Sequence, residues 1–534
     1  MAGFLDVLLR GLVLLSGSVA LGGVAWVRLV LRAAPHVKPD DDTRRALHVV
    51  AAAAGVGALA QMAVGFVALG TLAQGSDGWP VGAFAATSFA QATIVRVALG
   101  VVLGALALRL ARRPGGGDAW LALAACPVGL VATSALLSHA VARVEDRAVL
   151  VALDGAHQLA AAVWIGGLAH LVIYWSGGRV HGSDRGWPDT DAARLRLVLR
   201  RFSAVAVGSV ATLVLAGIAM TAIYVGDAGA LVGTAYGVMV LSKVILFVVV
   251  LALGFANFRA VRRTLAEGGA LRLARFAEVE VGLGVTVLFA AASLTSLPPA
   301  SDVRADRASV AEVAARFTPA PPRLASPPID ELLRVADPLM APPGERKPVE
   351  RAWSEYNHHW AGLFVATMGL LAVVERLGIR RARHWPLVFL GLALFLFARN
   401  DPRAWPLGPA GFWESLALPD VLQHRAFVLL VTAFGIFEWM VRTGRLPLRP
   451  WSYVFPLLCA AGGGLLLTHS HAMFSLKEEF LTEVTHAPLG ILGAFAGWAR
   501  WLEVRLPAAG RAPGWLWIGC FTAVGILLLV YREG

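Results

Sequence analysis

The chain has 534 residues, 57% of them hydrophobic and 15% charged, and a mean hydropathy of +0.67, far above that of soluble proteins. Its formal net charge is +12, yet no basic run interleaved with aromatics occurs, which argues against a nucleic-acid partner. Its three cysteines, Cys126, Cys459 and Cys520, form no CxxC, which excludes a thiolate zinc site and a c-type haem attachment motif.

Apolar runs of about 20 residues recur along the whole length, continuous rather than alternating. Backbone groups in lipid must satisfy one another, so the reading is all-α: a polytopic transmembrane helical bundle in the lipid bilayer, not a barrel. In chain order, spans are expected near 4–30, 46–73, 87–111, 118–141, 148–175, 201–226, 236–262 and 271–297. The first run has Asp6 and Arg10 in place of a basic leader and lacks a clear cleavage site, so it counts as a span. A Pro-rich stretch follows at 298–351, with "TPAPPRLASPPID" and "LMAPPGERKP". Six further spans are expected near 354–376, 385–400, 425–443, 451–468, 484–505 and 513–531, the second of them short for a bilayer. That gives about 14 spans, eight and six, and three domains: 1–297, 298–351 and 352–534.

Arginine placement orients the bundle. Arg28, Arg32, Arg44 and Arg45, then Arg109, Arg112 and Arg113, then "FRAVRR", "RLGIRRAR" and "RTGRLPLR" all fall on one side. The intervening connections "QGSDGWPVGAFAA" and "GDAGALVGTA" carry no Lys or Arg. Both termini are therefore expected outside, in the periplasm.

The histidines sort by side. His36, His48, His181 and His384 lie toward the cytoplasmic face as ordinary surface residues, and His170 reads as structural. The other eight share the outer half: His139, His157, His358, His359, His424, His469, His471 and His486. Polar groups inside a bilayer are costly and point to function, and imidazole suits copper and zinc. Asp154, His157, Ala161 and Trp164 follow i, i+3, i+7 and i+10, on one helix face. The carboxylate there either serves a bound cation or forms a buried Asp–His bond tying two helices. The stretch "THSHAMFSLKEEFLTEVTH" gathers His469, His471, Met473, Glu478, Glu479, Glu483 and His486. Ser475 to Glu478 resembles a capping box, so a helix is expected from about 476, with Glu479, Glu483 and His486 on one face and a bend at Pro488. A solvated loop is the alternative. Glu355 and His359 are at i, i+4, while His358 and His359 point about 100° apart, so only one serves a given site. Arg96, Lys243, Glu278 and Glu280 are further charges within spans, expected to pair inside the bundle or carry protons.

"DGAHQLAAAVWIGGLAHL" at 154–171 resembles the signature of the copper resistance protein D (CopD) family of bacterial inner-membrane proteins. So do "RRFSAVAVGSVATLVLAGIAM" at 200–220, "YGVMVLSKVILFVVVLALGFANFRAVRR" at 236–263 and "RFAEVEVGLGVTVLFAAASLTSLPP" at 275–299. The pieces recur in order and spacing. The resemblance implies copper movement across the inner membrane, usually uptake, and a periplasmic copper-binding partner of the CopC type. His157, Trp164, Lys243, Asn257 and Glu278 or Glu280 carry over by position, and only His157 is an evident ligand. The resemblance does not reach the six-helix block, whose histidines rest on their own pattern.

The expectation is a copper transporter without enzymatic activity, handling Cu(I) or Cu(II). Its metal-binding groups are His139, Asp154, His157, His358, His359, His424, His469, His471, Glu479, Glu483 and His486. Two alternatives stay open: a redox protein such as a cupric reductase with one outer haem or copper centre, and a copper-insertion factor. The histidines of the six-helix block lie almost entirely at its outer end, which allows at most one outer haem.

Overall fold

The structure, a computed structural model, describes residues 2–33, 35–75, 78–135, 137–138, 146–176, 189–263, 269–335, 347–417, 419–447, 450–468, 477–507 and 511–533. Among the described residues it is all-α, with no strand. Among the described residues, thirteen helices are long and apolar enough to cross a membrane, and the chain is a multi-pass membrane protein. The expected fourteenth is a 20-residue helix, His486–Arg505. Arg500 and Glu503 lower its hydropathy, but at about 1.5 Å per residue it has the length of a span. The short run near 385–400 gains a 3-10 segment, Arg380–Leu387, and the combined Arg380–Arg399 reaches span length.

Two bodies are distinguished: residues 2–228 with 243–302, and residues 229–242 with 303–534. The first contains α1 (Ala2–Ala25), α2 (Asp41–Ala73), α3 (Val81–Ala85), α4 (Ser88–Arg112), α5 (Gly117–Ala135), α6 (Arg147–Ser176) and α7 (Asp189–Tyr224). After the short α8 (Ala228–Gly233) comes α9 (Ala235–Arg263), which contributes its residues from Lys243 onward, and then α10 (Gly269–Leu294). Asp40 caps α2 by accepting from the Thr43 amide, and Thr87 caps α4. α1 runs through the middle, packed on α2, α6 and α10. Glycine permits its closest crossing: a Cβ at Gly166 of α6 would lie 1.9 Å from the Ser18 carbonyl oxygen. Lipid offers no hydrophobic drive between helices, so such close backbone packing supplies the association. His170 is indeed buried in this crossing, its Nε2 3.1 Å from the Val19 carbonyl and its ring stacked on Trp26. Arg96 donates to Gln61 Oε1 at 3.0 Å, and Gln61 donates to Thr93. Phe66, Leu121 and Leu215 are exposed, as lipid-facing side chains of a bundle are.

The second body holds α11 (Val310–Arg316), α12 (Ile329–Val335), α13 (Pro348–Arg376), α14 (Val388–Arg399), α15 (Phe412–Ala417), α16 (Pro419–Arg442), α17 (Val454–Thr468), α18 (Lys477–Glu483), α19 (His486–Arg505) and α20 (Ala512–Leu529). Its core is aromatic: Trp385, Phe389, Phe434, Phe455 and Trp517. Glycines again set the tightest crossings, Gly463 of α17 against Gly490 and Ala494 of α19, and Gly362 of α13 against Leu529 of α20. One end is pinned by six charges the sequence reading had not joined. Glu438 and Arg442 of α16 pair with each other, Arg442 reaches Glu375, and Arg500 bridges Glu438 and Glu503. Arg376 closes the set on Glu503. The Trp385 and Trp517 indoles donate to Glu375 and Glu503 at 3.0 and 2.7 Å. Three carboxylates and three guanidiniums balance, the condition for keeping charges inside a bundle.

Three substitutions test this packing. Gly166→Val should lower the thermal stability of the purified protein by about 2 kcal/mol or more, by overpacking. Gly17→Ala, which meets open space, should leave it unchanged or raise it by up to about 1 kcal/mol. Glu438→Ala should cost about 3 kcal/mol, because it leaves the buried network with one uncompensated positive charge, Arg442 keeping Glu375 and Arg500 keeping Glu503.

Candidate functional site

In the first body, α6 places Asp154 and His157 on one face, as their spacing requires. Asp154 is buried and accepts from Gln158 Nε2 at 2.9 Å. It does not bond to His157 in the way the Asp–His alternative supposed; the imidazole instead turns toward α7. A Cβ at Gly217 would sit 3.4 Å from His157 Cε1, an ordinary contact distance, so the ring lies directly against α7. His157 Nδ1 is enclosed and makes no hydrogen bond, although the Leu213 backbone approaches the ring. Lys243 of α9 lies within electrostatic reach of both Asp154 and His157. The Trp164–Phe247 edge contact, with centroids 5.5 Å apart, joins the same faces of α6 and α9. The other span charges are paired apart from this group: Glu278 with Arg275, and Glu280 with Asn257, where Gly254 gives the carboxylate room.

In the second body, the Pro-rich stretch contains ordered structure. Residues 308–327 lie along the six-helix block. Ala308 and Val313 pack on Phe480, Leu481 and Val484, and Lys477 pairs with Glu312 at 2.6 Å. Glu312 also closes a capping box with Ser309. The Ala320 amide donates to the Val530 carbonyl at 3.0 Å, and the Trp360 indole donates to the Leu324 carbonyl at 3.1 Å. His359 is the latch of this strap. It is fully buried; its Nδ1 accepts from the Arg323 amide at 2.7 Å, and its Nε2–H donates to the Tyr531 carbonyl at 2.8 Å. With both ring nitrogens engaged, His359 has no lone pair left for a metal, which corrects its expected role as a ligand.

The neighbouring histidine differs. His358 Nδ1–H donates to the Ser354 carbonyl at 2.8 Å, which puts the lone pair on Nε2, the arrangement that orients metal-ligating imidazoles. Its ring centroid is 5.9 Å from that of His486 and 4.1 Å from Tyr531, on which it stacks. Two imidazoles flanking one ion at about 2 Å metal–nitrogen distance need a separation of this size. Glu479 Oε2 is enclosed without a hydrogen bond. The continuous face of Glu479, Glu483 and His486 is not observed, because α18 stops at Glu483 and α19 starts at His486. Pro488 explains the break: it cannot donate to the Val484 carbonyl and its ring crowds that residue. His424 pairs through Nδ1 with Asp401 at 2.6 Å and is half exposed. Among the described residues no three His, Cys, Asp or Glu side chains converge as a metal site. His139, His469 and His471 lie outside the described residues.

Sequence reasoning missed Tyr531 and Glu533. Glu533 is buried, accepts from the Tyr531 hydroxyl at 3.3 Å, and its backbone carbonyl accepts from Arg316. A polar "YREG" after an apolar run was the available signal.

The family model described as Copper resistance protein D matches residues 196–294, most of α7 and all of α9 and α10. This part of the chain is similar to the copper resistance protein D family. The domain thus includes Gly217, Lys243, Asn257 and Glu280, while Asp154 and His157 face it from α6. The chain is also 32% identical over 170 residues to Copper transport protein CutJ of Bacillus subtilis (strain 168), covering 32% of this chain and 29% of that protein. The chain therefore matches less than a third of that relative's length. No solved structure matches.

Two outcomes follow from the strap. His359→Ala should speed tryptic cleavage after Arg323 and cost about 1–3 kcal/mol for the stranded backbone donor, with copper content unchanged. Its Lys477 partner and the Ser309 bonds hold the Glu312 carboxyl well below its usual 4.5, at about 2. A depressed carboxyl stabilises above its unfolded value, so this contact should persist from neutral pH down to pH 4.5 and be lost as pH falls toward 2. Cross-linking of cysteines placed at Val313 and Leu481 would report it.

Proposed function

We propose that the chain transports copper across the bacterial inner membrane, from periplasm to cytoplasm, with both termini periplasmic. The observation that carries this reading is the copper resistance protein D match over the helices that pack against His157. The identity to a protein named Copper transport protein supports it. Copper is the cargo. His358 and His486 capture it, helped by Glu479 or Glu483 and by His469, His471 and His424. His139, Asp154 and His157 bind it at span depth, where imidazole and carboxylate replace the lost water. A periplasmic copper-binding protein of the CopC type delivers the ion. Capture weakens in acid, because protonated imidazole cannot ligate.

The test is copper content of the purified protein together with uptake by reconstituted vesicles. His358→Ala with His486→Ala, and separately His469→Ala with His471→Ala, should each lower copper affinity by about tenfold or more. Unchanged stoichiometry and uptake in both would sink the capture role. A Soret band would instead favour a haem redox protein, and copper bound without uptake an insertion factor.

A further inference from the structure

The ionic network of the six-helix block engages Glu375, Glu438 and Glu503 with Arg376, Arg442 and Arg500. No Asp or Glu occurs in 376–400 or 504–532, and none in 439–477. The connections that close this end therefore hold arginines beyond the network and no carboxylate to meet them. Arg380, Arg381, Arg383 and Arg445 are four of these, and all four are exposed. Among the described residues, the ion pairs of this end all lie within the network. Arg380, Arg381 and Arg383 stand on the 3-10 segment Arg380–Leu387. Three residues make a turn there, so Arg381 and His384 share a face. His384 Nδ1 accepts from the Trp439 indole at 2.9 Å. The Arg445 guanidinium lies over the same indole, 4.1 Å from its centroid. One tryptophan thus sets the two basic connections side by side. Leu377, Ile379 and Leu387, which bracket the arginine run, are exposed as well, and so are Trp451 and Trp515.

We propose that this end of the six-helix block is a docking surface for anionic phospholipid headgroups, with Arg381 and Arg445 at its centre and Arg380 and Arg383 beside them. The planar guanidinium fork matches phosphate oxygens and sheds its water more readily than an ammonium. A guanidinium held over a ring face keeps its N–H edge for a phosphate, and the ring limits the freedom lost on binding. The apolar neighbours decide between lipid and a soluble anion. Leu377, Ile379 and Leu387 would stay in water around a soluble phosphate, whereas at a membrane surface they enter the hydrocarbon while the arginines remain at headgroup level. Indoles such as Trp451 and Trp515 favour the same level. Each arginine near an anionic surface contributes roughly fivefold to binding, and the contribution is screened by salt. The surface is independent of the copper reading and of which leaflet this end faces.

The experiment uses the full chain in a neutral detergent with equal amounts of phosphatidylglycerol and phosphatidylcholine of identical acyl chains. The lipid retained after affinity purification is then quantified. The native protein should retain phosphatidylglycerol in preference, on the order of tenfold or more, and high salt should erase the preference. Arg381→Gln with Arg445→Gln should lower it by about tenfold or more, at an unfolding temperature in lipid-free detergent like that of the native protein. Should the double variant unfold, Arg381→Gln and Arg445→Gln singly carry the same comparison at roughly fivefold each. Arg403→Gln removes the same charge from an exposed position in the connection at the other end of these helices, and should leave the preference unchanged. Equal retention of the two lipids by the native protein overturns the proposal, as does a preference that the double variant keeps. A loss in Arg403→Gln as large as in the double variant overturns the placement, because net charge alone would then explain retention. Displacement of the retained phosphatidylglycerol by inorganic phosphate overturns lipid as the occupant in favour of a soluble anion.

Discussion

Water is missing from the hydrocarbon of a bilayer, and that constraint organises both bodies of this protein. A charge or hydrogen-bonding group inside a span must find its partner in the protein. Six charges meet as three carboxylates and three guanidiniums at one end of the six-helix block. Arg96 finds Gln61, and Glu280 finds Asn257. The Nδ1 of His157 is among the enclosed polar atoms that make no hydrogen bond.

The same constraint makes glycine the residue of contact. Gly22 and Gly166 bring α1 and α6 together backbone to backbone, and Gly463, Gly490 and Gly497 do so for α17 and α19. Close helices then hold polar side chains at fixed depth. The His157 ring lies against α7 at Gly217, and His170 is held where the Val19 carbonyl receives it.

Two adjacent histidines on α13 show how far role can depart from residue type. His358 spends one nitrogen on its own helix and faces His486 and Tyr531. His359, about 100° round the helix, spends both nitrogens fastening the strap and the C-terminal tail. Its partners lie 36 and 172 positions away in sequence and are backbone groups. No side-chain motif could have announced them. The ionic network was hidden for a similar reason: Glu375, Glu438 and Glu503 each read alone as an ordinary helix-end charge, and only packing joins them.

The sequence by itself determined the all-α polytopic architecture, because continuous apolar runs leave the backbone no alternative in lipid. It also determined the shared face of Asp154 and His157, since helical spacing alone places residues three apart together. Its copper-family resemblance agreed with the match over 196–294. The bend before α19 was legible from Pro488, but its position at Val484 and Thr485, which breaks the expected Glu479–Glu483–His486 face, follows from where the proline ring crowds the preceding turn. Tertiary structure alone decided that backbone groups take both ring nitrogens of His359, that the ordered part of the Pro-rich stretch packs on the six-helix block, and that six charges join in one network. Those facts depend on contacts between residues distant in sequence, and spacing along one helix carries no information about what a neighbouring helix presents.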